Sequence, residues 1–140
     1  RSVNGRGNIP GCKTQRSLPG ILRNKACHFI KNSSGKINRM IVYNITTKIL
    51  PQIKEQWLHW QTNEHIPEMM ATGLFDSFKL YRLLDQDDTE GITFTIQYST
   101  SSLQRYEQYM DVFAAAMRKK AVDKWGNQFI AFRTVMQLVN

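Results

Sequence analysis

Along residues 40–140 the apolar side chains switch between the two-residue period of a strand and the period of about 3.6 of a helix, and the order of the switches admits few folds. Residues 40–47, Met-Ile-Val-Tyr-Asn-Ile-Thr-Thr, place Ile41, Tyr43 and Ile45 on one side and Val42, Asn44 and Thr46 on the other, as a strand does. Pro51 suits a first helical turn. Ile53, Trp57, Leu58, Trp60 and Gln61 then share one face, with Gln56 and His59 turned away, which predicts an amphipathic helix over 52–64. Pro67 is expected to break that helix and push Ile66 out of helical dihedrals, leaving a short separate turn with Met69 and Met70 before Gly73. Residues 74–84 alternate again, Phe78 and Leu80 against Lys79 and Tyr81. After an acidic hairpin at 85–91, Ile92, Phe94, Ile96 and Tyr98 oppose Thr93, Thr95 and Gln97.

A capping box with Ser101 as N-cap should open one long helix whose stripe is Leu103, Tyr106, Met110, Phe113, Met117 and Ala121. It is expected to end near Trp125-Gly126, with Arg118, Lys119, Lys120 and Lys124 at the negative end of its dipole. In the last strand, 128–139, the oily positions Ile130, Phe132, Met136 and Leu138 are expected inward, with Arg133 and Gln137 on the opposite face. The order is β-α-β-β-α-β, the ferredoxin-like α+β arrangement: a four-stranded antiparallel sheet with two helices on one face. The other face would be open and carry Val42, Asn44, Lys79, Tyr81, Thr93, Thr95, Gln97, Arg133 and Val135. That mixture is too apolar for indifferent exposure, so pairing of two sheets into a dimeric α+β barrel is expected.

The first 39 residues read differently. They hold nine of the nineteen Lys and Arg, none of the eleven Asp and Glu, and one of the fifteen aromatics, Phe29. The formal charge of +8 is therefore +9 in the leader and −1 in the remainder. The leader's composition predicts disorder, and both cysteines, Cys12 and Cys27, lie within it. The chain opens on Arg1 and its first methionine is Met40, where the first strand pattern begins. Met40 is thus read as the natural start, and 1–39 as a non-native leader outside a 40–140 domain. No apolar run approaches the roughly 20 residues of a membrane span. With no thiol in the body, a cytoplasmic location is the default.

Several strings carry a family resemblance: Met40-Ile41-Val42-Tyr43-Asn44, Trp57-Leu58-His59-Trp60, His65-Ile66-Pro67-Glu68-Met69-Met70-Ala71-Thr72-Gly73, Gln97-Tyr98 and Phe129-Ile130-Ala131-Phe132-Arg133-Thr134. Over residues 40–140 the chain resembles a family of short bacterial proteins known as a domain of unknown function, DUF 4286. The resemblance implies a fold similar to the dimeric α+β barrels, a group that includes small monooxygenases, isomerases and ligand-sensing modules. It implies no particular activity.

Among candidate groups, His65 lies beside Glu64 and three positions from Glu68, which suits a general base tuned by a carboxylate. The plainer alternative is an imidazole that bonds a backbone group and fixes a kink before Pro67. Arg133, with Lys79, Tyr81, Gln97 and Tyr98 nearby, would bind an anionic ligand, or Arg133 would pair with a carboxylate across a dimer interface. His59 and His65 stand about 240° apart on a regular helix, so no metal is assigned to them. The acidic hairpin lacks the glycine and the terminal glutamate of a calcium loop, with Glu90 and Ile96 in their places. No phosphate loop, nucleophile elbow or nucleotide fingerprint occurs, so no cofactor is called for.

The resulting expectation is a homodimeric ligand-binding or structural module. The alternative is a cofactor-independent enzyme of the monooxygenase or isomerase type, with His65 as base and Arg133 or Tyr98 orienting substrate between helices and sheet. Nucleic-acid binding through the basic leader ranks third, and no membrane partner is expected.

Overall fold

The computed structural model describes residues 39–140, so the expectations placed on the leader fall outside the described residues except at Arg39. Four strands form one antiparallel sheet: β1 (Ile41–Ile49), β2 (Ser77–Arg82), β3 (Ile92–Thr100) and β4 (Phe129–Gln137), in the spatial order β2-β3-β1-β4. The connections after β1 and after β3 are helical and lie on one face. This is the ferredoxin-like α+β fold expected from the period changes.

The first connection is less broken than Pro67 suggests. After a 3-10 turn at Pro51–Ile53 come α1 (Lys54–Trp60), a π-helical segment (Gln61–His65) and α2 (Ile66–Ala71), and the dihedrals of Trp60 and Ile66 on either side of the segment are helical. Proline lacks the N–H that an α-helix would bond four residues back. The wider π turn directly before Pro67 changes the bonding register there, so the rod passes the proline without stopping. The predicted break and the non-helical Ile66 are both corrected: Ile66 has φ −62° and ψ −46°.

The second connection begins one residue later than the predicted box. Ser102, not Ser101, is the N-cap of α3 (Leu103–Val112), and its hydroxyl accepts from the Arg105 N–H. The single long helix is divided at Phe113, where φ reaches −115°, before α4 (Ala114–Trp125). Gly126, with φ +56° and ψ −122°, takes a positive-φ conformation that favours glycine and lets the chain leave α4 for β4.

Pairing assigns each side chain to a face. Tyr98, Tyr43 and Val135 are cross-strand neighbours, as are Ile96, Ile45 and Arg133, all on the helix side. Lys79, Gln97, Asn44 and Thr134 form a row on the other side, as do Tyr81, Thr95, Thr46 and Phe132. β4 is therefore turned over relative to the expectation. Arg133, Val135 and Gln137 face the helices, whereas Ile130, Phe132 and Met136 stand on the open face, exposed. Leu138 lies beyond β4 and is exposed as well. The alternation in β4 was correct, but the oilier side was assigned inward, and pairing with β1 decides otherwise.

The core between sheet and helices is aromatic. Trp57 stacks on Phe94 with centroids 5.1 Å apart, and Phe75 lies 5.3 Å from Tyr98 and 5.0 Å from Tyr109. Tyr43, Trp57, Met69, Tyr98 and Tyr109 are all buried. In the hairpin the carboxylates have local work: Asp88 pairs with Arg82, and Asp87 accepts from the N–H and hydroxyl of Thr89. Those hydrogen bonds hold the Asp87 carboxyl below its usual range. Among the described residues, no helix is long and apolar enough to cross a membrane.

Candidate functional site

The groups worth inspecting meet in the gap between the helices and the β1–β4 half of the sheet. A cavity of about 40 Å³ lies there, lined by His65 and Gln61 of the π segment, Tyr43 of β1, Tyr98 of β3, Arg118 of α4 and Arg133 of β4, with Trp57, Ile96 and Met117 among its apolar walls. That volume has room for a few water-sized groups.

Local chain geometry explains how polar groups reach this place. On the helix rod, Gln61 and His65 bound the π segment, and both are buried despite their polarity. Arg118 lies four positions after the buried Ala114 on the same face of α4 and is half-buried, whereas Lys119 and Lys120, which follow it, are exposed. Arg133 enters because position 133 pairs with Ile45, and it stands exposed at the rim.

Four polar atoms here are buried without a hydrogen-bond partner among the described residues: Gln61 Oε1, His65 Nδ1, Tyr98 OH and Arg118 Nε. Leaving such an atom unpaired costs about 1–3 kcal/mol. The nearest paired contacts are loose: Arg118 Nη2 donates to Tyr43 OH at 3.5 Å and lies 3.9 Å from Met110 Sδ. Tyr109 OH turns instead to Met69 Sδ at 3.2 Å.

Burial keeps the histidine and the tyrosines of this interior neutral. Burial lowers the His65 pKa to about 4 from its ordinary 6.5, and this outweighs the opposing pull of Glu68; Lys120 and Arg133 lower it further. The imidazole is thus uncharged near neutral pH, and the carboxylate tuning expected of Glu68 is the smaller effect. The expected backbone bond at a kink is also absent at Nδ1, and the ring stacks on Trp60 instead. Burial pushes the Tyr98 and Tyr109 hydroxyls well above their ordinary range, helped by neighbouring tyrosines, so both remain O–H groups. The hydrogen bond to Tyr43 raises the Arg118 pKa.

The predicted site residues therefore separate into two groups. His65, Tyr98 and Arg133 come together in the cavity. Lys79, Tyr81 and Gln97 lie on the opposite face of the sheet and cannot join them. His59 is exposed on the outer side of α1. From the sequence, Gln61 has only a place on a helix face and Arg118 only one at the helix's dipole end; the signal for a site role is a polar residue in line with each helix's apolar positions.

On the open face, Thr95 Oγ1 donates to Asn44 Oδ1 at 2.8 Å, Asn44 Nδ2 reaches Thr46 and Thr134 at 3.2 and 3.3 Å, and Thr46 and Thr95 hydroxyls lie 3.2 Å apart. This polar centre satisfies itself. Around it stand Ile130, Phe132, Met136 and Tyr81, with Phe132 67% exposed.

Residues 40–139 match the model of a family described as a domain of unknown function, DUF4286. No curated relative matches the sequence. Among solved structures, the fold is similar to an ethyl tert-butyl ether d (ethd) family protein from Bacillus halodurans, at 16% identity and TM-score 0.55, covering 71% of this chain and 99% of that one. It is also similar to a conserved protein of unknown function and possible oxidoreductase from Bacteroides thetaiotaomicron, at 10% identity and TM-score 0.53, covering 72% and 99%. A third is a monooxygenase from Streptomyces coelicolor in complex with the ligand Nanaomycin D, at 13% identity and TM-score 0.50, covering 78% and 96%. At these identities the likeness is one of fold.

Proposed function

The chain belongs to the DUF4286 family, and we propose that it acts as a cytoplasmic homodimer that binds a small ligand in the cavity between helices and sheet. One observation carries the reading: four residues that each hold a buried polar atom without a partner among the described residues line a single cavity. Buried polar groups are normally paired, and where several are not, a ligand that completes them gains what the fold forgoes. The π segment supports it, because such widened turns are frequent at functional positions.

Dimerisation rests on the open face. The oilier side of β4 points away from the core, and Asn44, Thr46 and Thr95 beside it already hydrogen-bond one another, so a second sheet can cover both at small polar cost.

Native mass spectrometry of the protein isolated from its own host tests the ligand. A non-covalent adduct is expected, lost when Ala131→Leu fills the cavity wall; a bare protein mass overturns the reading. A second reading, a cofactor-independent enzyme with His65 as base, is favoured by the meeting of His65, Tyr98 and Arg133. Against it, an imidazole with a pKa near 4 is a weak base at neutral pH. Replacing His65 by Ala should abolish turnover with the fold intact; unchanged turnover removes that assignment.

A further inference from the structure

The cavity has an unbalanced charge. Arg118 and Arg133 both line it, and neither takes part in an ion pair among the described residues, where Lys54, Arg82, Arg105, Lys119 and Lys120 each have an acidic partner. Residues 1–39 contain no Asp or Glu, so that part of the chain has no side-chain carboxylate to supply. Two guanidiniums without a carboxylate partner on one cavity favour an anionic ligand, and the planar fork of arginine matches a carboxylate.

Inside the mouth the requirements differ. Gln61 Oε1 only accepts and needs a donor from the ligand, while Tyr98 keeps its proton and can both donate and accept. A hydroxyl meets both demands at once. Ile45, Trp57, Ile96 and Met117 suit a short carbon skeleton, and a volume of about 40 Å³ limits it to a few heavy atoms.

We infer that the cavity takes a short hydroxycarboxylate, its carboxylate held at the mouth by Arg118 and Arg133 and its hydroxyl turned inward toward Gln61 and Tyr98. The inference rests on the cavity being a ligand site, as proposed above, and adds the chemical class. His65 fits as a neutral neighbour, since a charged imidazole would leave the inner end with a cation and no anion to face it.

The test is titration of the full chain with glycolate, its neutral isostere glycolamide, acetate and inorganic phosphate, read by NMR at the His65 and Trp57 ring resonances. Glycolate should shift both rings saturably. Glycolamide and acetate should bind at least about tenfold more weakly, the factor expected when a charge-assisted or a buried hydrogen bond is lost. Arg118→Gln and Arg133→Gln should each weaken glycolate about tenfold or more and leave glycolamide unchanged, with Arg133→Lys recovering part of the loss.

Equal binding of glycolate and glycolamide would overturn the anionic class while leaving a ligand site in place. Tighter binding of phosphate than of glycolate would overturn the carboxylate. If no probe shifts the rings but host-purified protein carries an adduct that Ala131→Leu removes, the class is wrong and the site stands. If no probe shifts the rings and no adduct is present, both fail.

Discussion

The indole of Trp60 and the imidazole of His65 are stacked, with ring centroids 4.4 Å apart and planes 19° from parallel. Residues five apart overlie each other in this way because the helix between them is π-helical, and Trp125 meets Trp60 edge-on at 5.9 Å. The stack buries His65 with its ring uncharged, which gives the protein a titration that an exposed histidine would lack.

With the His65 pKa lowered to about 4 in the fold and near 6.5 when unfolded, the unfolded chain binds the proton more readily between those values. Stability is therefore whole above about pH 6.5 and is lost as pH falls toward 4. At about 1.4 kcal/mol per pH unit the loss reaches about 3 kcal/mol. Urea denaturation at pH 7 and pH 4.5 should show it, and His65→Gln should flatten the slope in that window.

Gly91 lies against the end of β1. A Cβ there would meet the Ile49 carbonyl oxygen at 2.9 Å and the Lys48 side chain at 2.8 Å. The lysine can move, but the carbonyl is held in the sheet. Gly91→Ala should cost about 1–3 kcal/mol in thermal or urea unfolding.

Arg105 joins the start of α3 to the loop before β2, donating to Asp76 Oδ1 at 2.7 Å and to the Gly73 carbonyl at 2.6 Å. A lysine cannot make both bonds from one ammonium in the same geometry. Arg105→Ala should lower stability by about 1–2 kcal/mol, discounted for partial exposure, and Arg105→Lys should recover less than half of it in the same urea assay.

Phe132 stands on the open face and contributes nothing to the helix-side core. If the proposed dimer forms through this face, Phe132→Glu should leave a monomer in sedimentation at micromolar concentration while unfolding shifts by no more than about 0.5 kcal/mol from the folded monomer's own value. A wild-type chain that sediments as a monomer would remove the dimer.

Much of the fold was readable before the structure. Tyr43, Phe94 and Tyr98 mark their strand faces by plain alternation with threonine, asparagine and glutamine, so β1 and β3 follow from pattern alone. β4 resisted because both its sides are partly apolar: Phe129, Ala131 and Val135 against Ile130, Phe132 and Met136. Pattern then ranks the sides by oiliness, whereas register with Asn44 and Thr46 places them. Pro67 misled for a related reason, since proline forbids one hydrogen bond and not the helical path. The site was half legible. His65, Tyr98 and Arg133 were named, but their meeting depends on a π turn and a strand orientation, and Lys79, Tyr81 and Gln97 were drawn in only by placing Arg133 on the wrong face.

The orientation of β4 also has a genetic reading. Alternate codons of one strand answer to different selective demands: 129, 131 and 133 shape the cavity, while 130, 132, 134 and 136 shape the outer face. Substitutions in either set can be made without changing the other, so the cavity wall and the outer face can vary separately. Loss of a single residue from the turn at 126–128 would exchange the two sets at once, carrying Phe132 into the cavity and Arg133 onto the outer surface.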